Sequence, residues 1–215
     1  MSAEQASTSP GILAIFNNVA PGREAEFEHW FQTEHLAERI AIPGFLLARR
    51  YEALTGQLRY FNYYLTQSAA VLKSDAYLRR LDNPTPMTRI VMSEIFKDMN
   101  RTVCHRAFRL GVIRGAAAVA VRFQERPDEA QLKAAVQDML QNEFAACGEG
   151  WIAADRNQFP VSEEERLRGG DRKIDACLLV ETLRISDAEE VAKTISRLFP
   201  HGAMGVYRLL CEIRP

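Results

Sequence analysis

The densest run of chemically capable residues is Trp30-Phe31-Gln32-Thr33-Glu34-His35-Leu36. On a helix turning about 100° per residue, Glu34 and Glu38 fall on the side of Phe27, Trp30 and Phe31, with His35 at its margin. Ionisable groups on a face that packs against a sheet are costly unless they are paired or served by a cavity. A histidine beside a carboxylate can act as a general base near neutral pH, and a tyrosine or arginine can hold an enolate or carboxylate. This reading makes His35, Glu34 and Tyr64 the catalytic candidates. Asn18, Trp30, Arg50, Tyr60, Asn62 and His105 or Arg106 are the substrate-binding candidates, gathered in a pocket between two sheets. A helical metal pair is not expected, because Glu34 and His35 point about 100° apart and no second histidine follows four residues on. No bound organic cofactor is expected, although a histidine in a cavity can also ligate haem iron. C-x-x-C-H, Gly-rich phosphate loops and G-x-S-x-G elbows are all absent.

The elements that must position these residues are legible from punctuation and period. Gly11–Val19 reads as a strand, Pro21 opens a helix that Pro43-Gly44 stops, and Phe45–Ala53 with Leu58–Gln67 reads as a hairpin. Ser68 is expected to cap a helix to about Asn83. A short helix over Met87–Met99 and a strand over Thr102–Ile113 follow. The order then repeats: strand Ala116–Phe123, helix Pro127–Cys147, strands Gly150–Phe159 and Lys173–Leu183, a helix from a Ser186/Glu189 capping box to Phe199, and strand Ala203–Ile213. The charged segment Pro160–Arg172, with Gly169-Gly170, reads as a long mobile loop. Glu24-Ala25-Glu26-Phe27 aligns over Glu129-Ala130-Gln131-Leu132 in the same helix phase, which supports duplication. In that alignment Glu34 falls on Met139, His35 on Leu140 and Trp30 on Ala135, so a helix in this position does not need a histidine to fold.

The expected fold class is therefore α+β: two tandem ferredoxin-like β-α-β-β-α-β units whose antiparallel sheets pack face to face. Residues 1–10 are expected to be disordered, with the units at 11–115 and 116–215. In Tyr60-Phe61-Asn62-Tyr63-Tyr64-Leu65, the set Phe61, Tyr63 and Leu65 suits burial under helices. Tyr60, Asn62 and Tyr64 suit the face turned to the other sheet. The element order, Trp30 with Glu34-His35-Leu36 late in the first helix, and Pro43-Gly44-Phe45 opening the second strand resemble the dimeric α/β-barrel superfamily, in particular its EthD-like members. That resemblance implies the fold over most of the chain. It implies an activity among cofactor-free monooxygenases, lactone isomerases, cyclases or haem-binding enzymes, which the fold alone does not choose between.

Bulk properties narrow the partners. A formal charge of -1, with 47% apolar and 26% charged residues, is that of an ordinary globular protein and argues against nucleic acid. No apolar run approaches the roughly 20 residues of a membrane span, and the N-terminus has no basic region followed by an apolar stretch. Cys104, Cys147, Cys177 and Cys211 are widely spaced and read as free thiols of a cytoplasmic protein. The expected partner is a small-molecule ligand, with a homodimer of the two-unit chain a further expectation. The function expected from the site is a small-molecule enzyme acting on an aromatic or apolar oxygenated substrate by proton-transfer, isomerase or monooxygenase chemistry. The alternative is a non-catalytic module that binds a small molecule or a protein.

Overall fold

The computed structural model describes residues 9–142 and 144–215. The expected disordered N-terminus thus lies largely outside the described residues. The first unit contains β1 (Gly11–Val19), β2 (Phe45–Thr55), β3 (Tyr60–Thr66) and β4 (Phe96–Leu110). The second contains β5 (Ala117–Phe123), β6 (Cys147–Ala153), β7 (Ala176–Thr182) and β8 (Ala203–Ile213). Every pairing is antiparallel, and the strands close in the order β1-β3-β2-β8-β5-β7-β6-β4. Each unit supplies four consecutive strands of that ring, and the units meet edge to edge where β2 pairs with β8 and β4 with β6.

The helices cover the outside. Helix α1 runs Glu24–Trp30, passes through a π turn at Phe31–His35 and continues over Leu36–Ile40. It stops at Pro43-Gly44, where Gly44 takes φ +93, a left-handed conformation open to a residue without Cβ. Helix α2 (Asp75–Asp82) and helix α3 (Pro86–Ile90, with a π turn at Val91–Ile95) complete the first unit. Helices α4 (Glu129–Gln141) and α6 (Ile185–Leu198) cover the second, and α5 (Glu163–Leu167) lies between β6 and β7.

Several local expectations are corrected. Ser74, not Ser68, caps α2: its Oγ accepts from the Tyr77 amide at 3.3 Å, and Ala69–Lys73 is a 3-10 turn. Helix α6 starts at Ile185, one residue ahead of Ser186, and makes no side-chain cap hydrogen bond, so the Ser186/Glu189 capping box does not form. Helix α4 ends at Gln141, short of Cys147, where β6 begins, and β4 begins at Phe96, within the segment expected to be a short helix. The segment read as a mobile loop carries α5, capped by Ser162, whose Oγ accepts from the Glu165 amide at 3.3 Å.

Strand alternation sorts the core into shells. Ile12, Ala14, Phe16, Tyr51, Phe61, Tyr63, Trp151, Cys177, Leu179 and Tyr207 fill the barrel lumen from both units. Leu13, Ile15, Tyr60 and Tyr64 pack outwards under α1 and α3, and Val119, Val121, Leu178 and Val180 pack under α4 and α6. The lumen is a solid aromatic stack, with Phe16 and Phe61 at 4.5 Å, Tyr51 and Phe61 at 5.3 Å, and Tyr63 and Trp151 at 5.1 Å between ring centroids. An eight-stranded barrel is just wide enough for side chains to fill it. The pocket expected between the sheets is therefore occupied by the chain's own aromatics. The faces of β3 are also the reverse of the expectation: Phe61 and Tyr63 point inwards, and Tyr60 and Tyr64 lie under the helices.

Residues 1–115 alone would bare the lumen face and leave β2 and β4 as unpaired edges. That fragment is expected to dimerise, with β2 of one copy taking the place of β6 against β4 of the other, or to aggregate. Sedimentation would check this, and a monodisperse monomer at high concentration contradicts it.

Candidate functional site

The site lies between α1 and the outer face of the first unit's sheet, and its local cause is the π turn. An extra residue in the turn moves everything after it back by about 100° relative to an ideal α-helix. His35, Leu36, Arg39 and Ile40 therefore become buried, whereas Glu34 and Glu38 are only partly covered. His35 is 6% exposed, its ring 4.3 Å from that of Trp30, 4.9 Å from Phe31 and 6.4 Å from Tyr64.

His35, Arg39, Asn62 and Tyr64 line a cavity of about 30 Å³ (water-sized sphere), room for one or two waters. Their polar atoms lack partners. His35 Nδ1, both side-chain heteroatoms of Asn62, Tyr64 Oη and Arg39 Nη1 are buried without a hydrogen bond among the described residues. Buried polar groups are normally satisfied, and each orphan costs about 1–3 kcal/mol.

The rest of the wall is charged. Arg39 Nη2 donates to the buried Glu164 of α5, so the second unit closes a cavity on the first. Arg101 donates to Tyr77 Oη at 2.7 Å. Arg168 is held by two hydrogen bonds to Asp171 at 2.8 Å, with Nη1 3.0 Å from Met92 Sδ. Arg39, Arg101 and Arg168 outnumber Glu164 among the charged lining groups. Burial first, then the charges of Arg39, Arg50, Arg168 and Arg80, holds the His35 imidazolium well below the usual histidine range. Burial pushes the Tyr64 phenol up. Both are neutral near pH 7, so the cavity offers neutral donors and acceptors in a cationic field.

The other sequence candidates are placed elsewhere. Glu34 braces α1 to α3: Thr85 and Thr88 donate to it, as does Trp30 Nε1 at 3.2 Å, and these bonds outweigh burial and hold its carboxyl below the usual range. Trp30 Nε1 also reaches Thr88 Oγ1 at 3.0 Å. Arg50 forks onto Glu28 and lies 4.1 Å above the Phe31 ring, with Tyr60 beside it, its phenol pushed up to about 12 by burial first. Both share the outer face without lining the cavity. Asn18 lies at one mouth of the barrel, hydrogen-bonded to Asp98. Arg106 sits 3.7 Å from Glu149, and His105 on β4 opposes Ile152 on β6, away from His35. The sequence reading did not name Arg39, Tyr77, Arg101, Glu164 or Arg168. Of these only Arg39, four residues after His35, carried a local signal.

No cluster of three or more His, Cys, Asp or Glu side chains among the described residues is arranged to hold a metal ion. A space for one or two waters does not admit a haem macrocycle, so the residues around His35 do not fit that group as they stand. No helix of the described residues is long and apolar enough to cross a membrane.

No family model matches the chain, and no curated protein matches it. Solved structures do. A candidate monooxygenase from Fusobacterium nucleatum superposes with a TM-score of 0.60 at 10% identity, covering 96% of this chain and 95% of the other. An anthrone oxidase-like protein gives 0.59 at 12% identity, over 100% of this chain and 95% of the other. A candidate chlorite dismutase gives 0.57 at 10% identity, over 95% and 96%. At these identities the likeness shows the fold: a dimeric α/β barrel built here from two units in one chain.

Proposed function

We propose that this chain is a small-molecule enzyme whose site is the cavity between α1 and the first unit's sheet. Its substrate is an aromatic or apolar molecule bearing an enolisable or phenolic oxygen. The observation that carries this reading is the convergence of His35, Arg39, Asn62 and Tyr64, each buried and each with an unpartnered polar atom, on one cavity. A ligand oxygen would satisfy these atoms together. Arg39 and Arg168 are paired with Glu164 and Asp171, whereas Arg101 donates to a hydroxyl; its guanidinium favours that oxygen as an anion, and in a low-dielectric wall it counts for more than in water.

In this reading Arg39 and Asn62 hold the oxygen, Tyr64 donates its phenolic hydrogen to it, and His35 takes the proton released. The imidazolium so formed is disfavoured by the surrounding arginines but is paired with the anion it has just created. An enolate held in this way can be reprotonated at another carbon, which is isomerisation, or can react with O2: its carbon bonds to one oxygen, protonation gives a hydroperoxide, and loss of water from that leaves a carbonyl. The second is an oxidation, the reaction class in the descriptions of the monooxygenase-like and anthrone oxidase-like neighbours. The EthD-like resemblance of the Trp30 to Leu36 segment supports the same class. No organic cofactor enters these steps, and the proposed setting is the cytoplasm. A second space of about 220 Å³, lined by Phe159, Val161 and Lys173, has Arg101 in its wall in common with the cavity and would take the substrate body.

The test is a thermal-shift screen with phenols, aromatic acids and enolisable aromatic ketones, followed by mass spectrometry after aerobic incubation. A ligand at 100 times its Kd adds about 2.7 kcal/mol of stability. The Asn62→Leu variant is expected to be at least as stable as the parent, since no partner is orphaned, and to bind the same ligand about tenfold or more weakly. A ligand recovered unaltered would favour a binding module instead. Failure of every compound to stabilise the parent would sink both.

A further inference from the structure

The two mouths of the barrel are built differently. At one, acids and arginines neutralise each other: Glu181 and Glu149 face Arg49 and Arg114. The other, at the end where β1 and β5 finish, is lined by Asn18, Asp98, Asn100, Arg122 and Arg172 around a space of about 220 Å³. Among the described residues, no side-chain hydrogen bond or ion pair engages the guanidinium of Arg122 or Arg172 there. Arg122 follows Ala118 and Ala120 on the lumen-facing side of β5, with its guanidinium carbon 5.2 Å from the Phe16 ring centre.

We propose that this mouth binds a small oxyanion, a carboxylate or a phosphate group, between Arg122 and Arg172 with the Asn100 amide at its side.

Arg122 is half-buried and Arg172 exposed; a half-buried guanidinium without a counter-charge is costly, and an oxyanion whose two oxygens match its planar fork is the group that compensates it. Burial, with the like charge of Arg172, pulls the Arg122 guanidinium below its usual value. Asn100 is 2% exposed and its Oδ1 has no partner; rotating the amide turns an N–H donor into the same position. Among the described residues Asp98 is the one acid in the wall, and it does not neutralise the arginines: its carboxylate accepts from Asn18 Nδ2 at 2.9 Å and makes no ion pair with them. It also adopts φ 52, a left-handed conformation that costs a non-glycine residue energy and recurs at binding sites. This site is separate from the His35 cavity and does not depend on the enzymatic reading.

The test uses the full chain, titrated with inorganic phosphate and with succinate at constant ionic strength. Binding is followed through the backbone amide of Asn100 and the arginine side-chain Nε–H signals, with sodium chloride as the control. Saturable shifts with one anion, at a Kd in the millimolar range or below, are expected, weakened at least tenfold in Arg122→Gln and in Arg172→Gln and retained in His35→Leu. Which anion saturates tells carboxylate from phosphate. Equal, non-saturating shifts with chloride, or unchanged binding in both arginine variants, overturn the proposal. Arg122→Met supplies an independent measurement. It keeps the stem over Phe16, so its urea midpoint should rise in the absence of anion; a fall would make Arg122 a structural residue and overturn the site.

Discussion

His35→Leu is expected to leave the protein as stable as the parent or more so, while ligand binding or turnover falls about 10- to 100-fold. His35 makes no hydrogen bond to the described residues, so leucine, the residue class the second unit carries at Leu140, orphans nothing. A hydrogen bond to a charged ligand is worth about 1.5–3 kcal/mol, which sets the size of the functional loss. Urea melts with an unchanged m-value decide the first half, and titration with a ligand from the screen decides the second. A structural histidine would behave in the opposite way, with a clear drop in midpoint and function lost only through unfolding.

The same variant carries a pH signature. The folded-state pKa of His35 lies below its unfolded value, so on acidification the unfolded chain takes the proton first. The parent therefore loses stability as pH falls from about 6.5 towards the depressed folded pKa, at most about 1.4 kcal/mol per pH unit. His105, lowered by burial, contributes in the same direction in both proteins, so the difference between parent and His35→Leu isolates His35. Parallel pH profiles for the two would contradict the buried neutral imidazole.

Glu181→Ala should be the most destabilising single substitution here, costing about 3–5 kcal/mol in urea melts. Glu181 is fully buried and ties the units together across the lumen: Arg49 and Arg114 pair with it, Tyr51 Oη donates at 2.8 Å, Cys147 Sγ at 3.2 Å and the Gly115 amide at 3.2 Å. Removing one member of a buried charge network leaves the others uncompensated, which costs more than the network's net worth. Burial alone would raise the Glu181 carboxyl, but Arg49, Arg114 and the donated hydrogen bonds hold it below the usual range. Its contribution is therefore present above the unfolded carboxylate pKa and is lost as pH falls through the folded one. A loss under about 1 kcal/mol would mean that the two units hold together without this clamp.

The amino-acid sequence by itself determined the succession of strands and main helices in both units, because these follow from local signals; the barrel class came from the resemblance that this succession and the Trp30–Leu36 segment carry. Pro21 and Pro43-Gly44 bound a helix, a turn at Gly56-Gln57 joins two apolar runs, and the same succession returns after Gly115. Alternation likewise settled that Tyr60, Asn62 and Tyr64 share one face of β3. Which face that was, only the tertiary structure decided. Both sides of the strand are buried, so periodicity had no solvent side to anchor it. Packing sent Phe61 and Tyr63 to stack with Phe16, Tyr51 and Trp151 in the lumen, leaving the amphipathic set to the helix layer.

The placement of His35 was hidden for a similar reason. An ideal helix puts it at the margin, and one π turn, which no residue at Phe31–His35 announces, rotates it and Arg39 into the core. Glu164 and Arg168 complete the wall from more than a hundred positions away. A contact between distant segments depends on how the barrel closes, and local sequence carries periods and punctuation but not the meeting of one unit's loop with the other unit's helix.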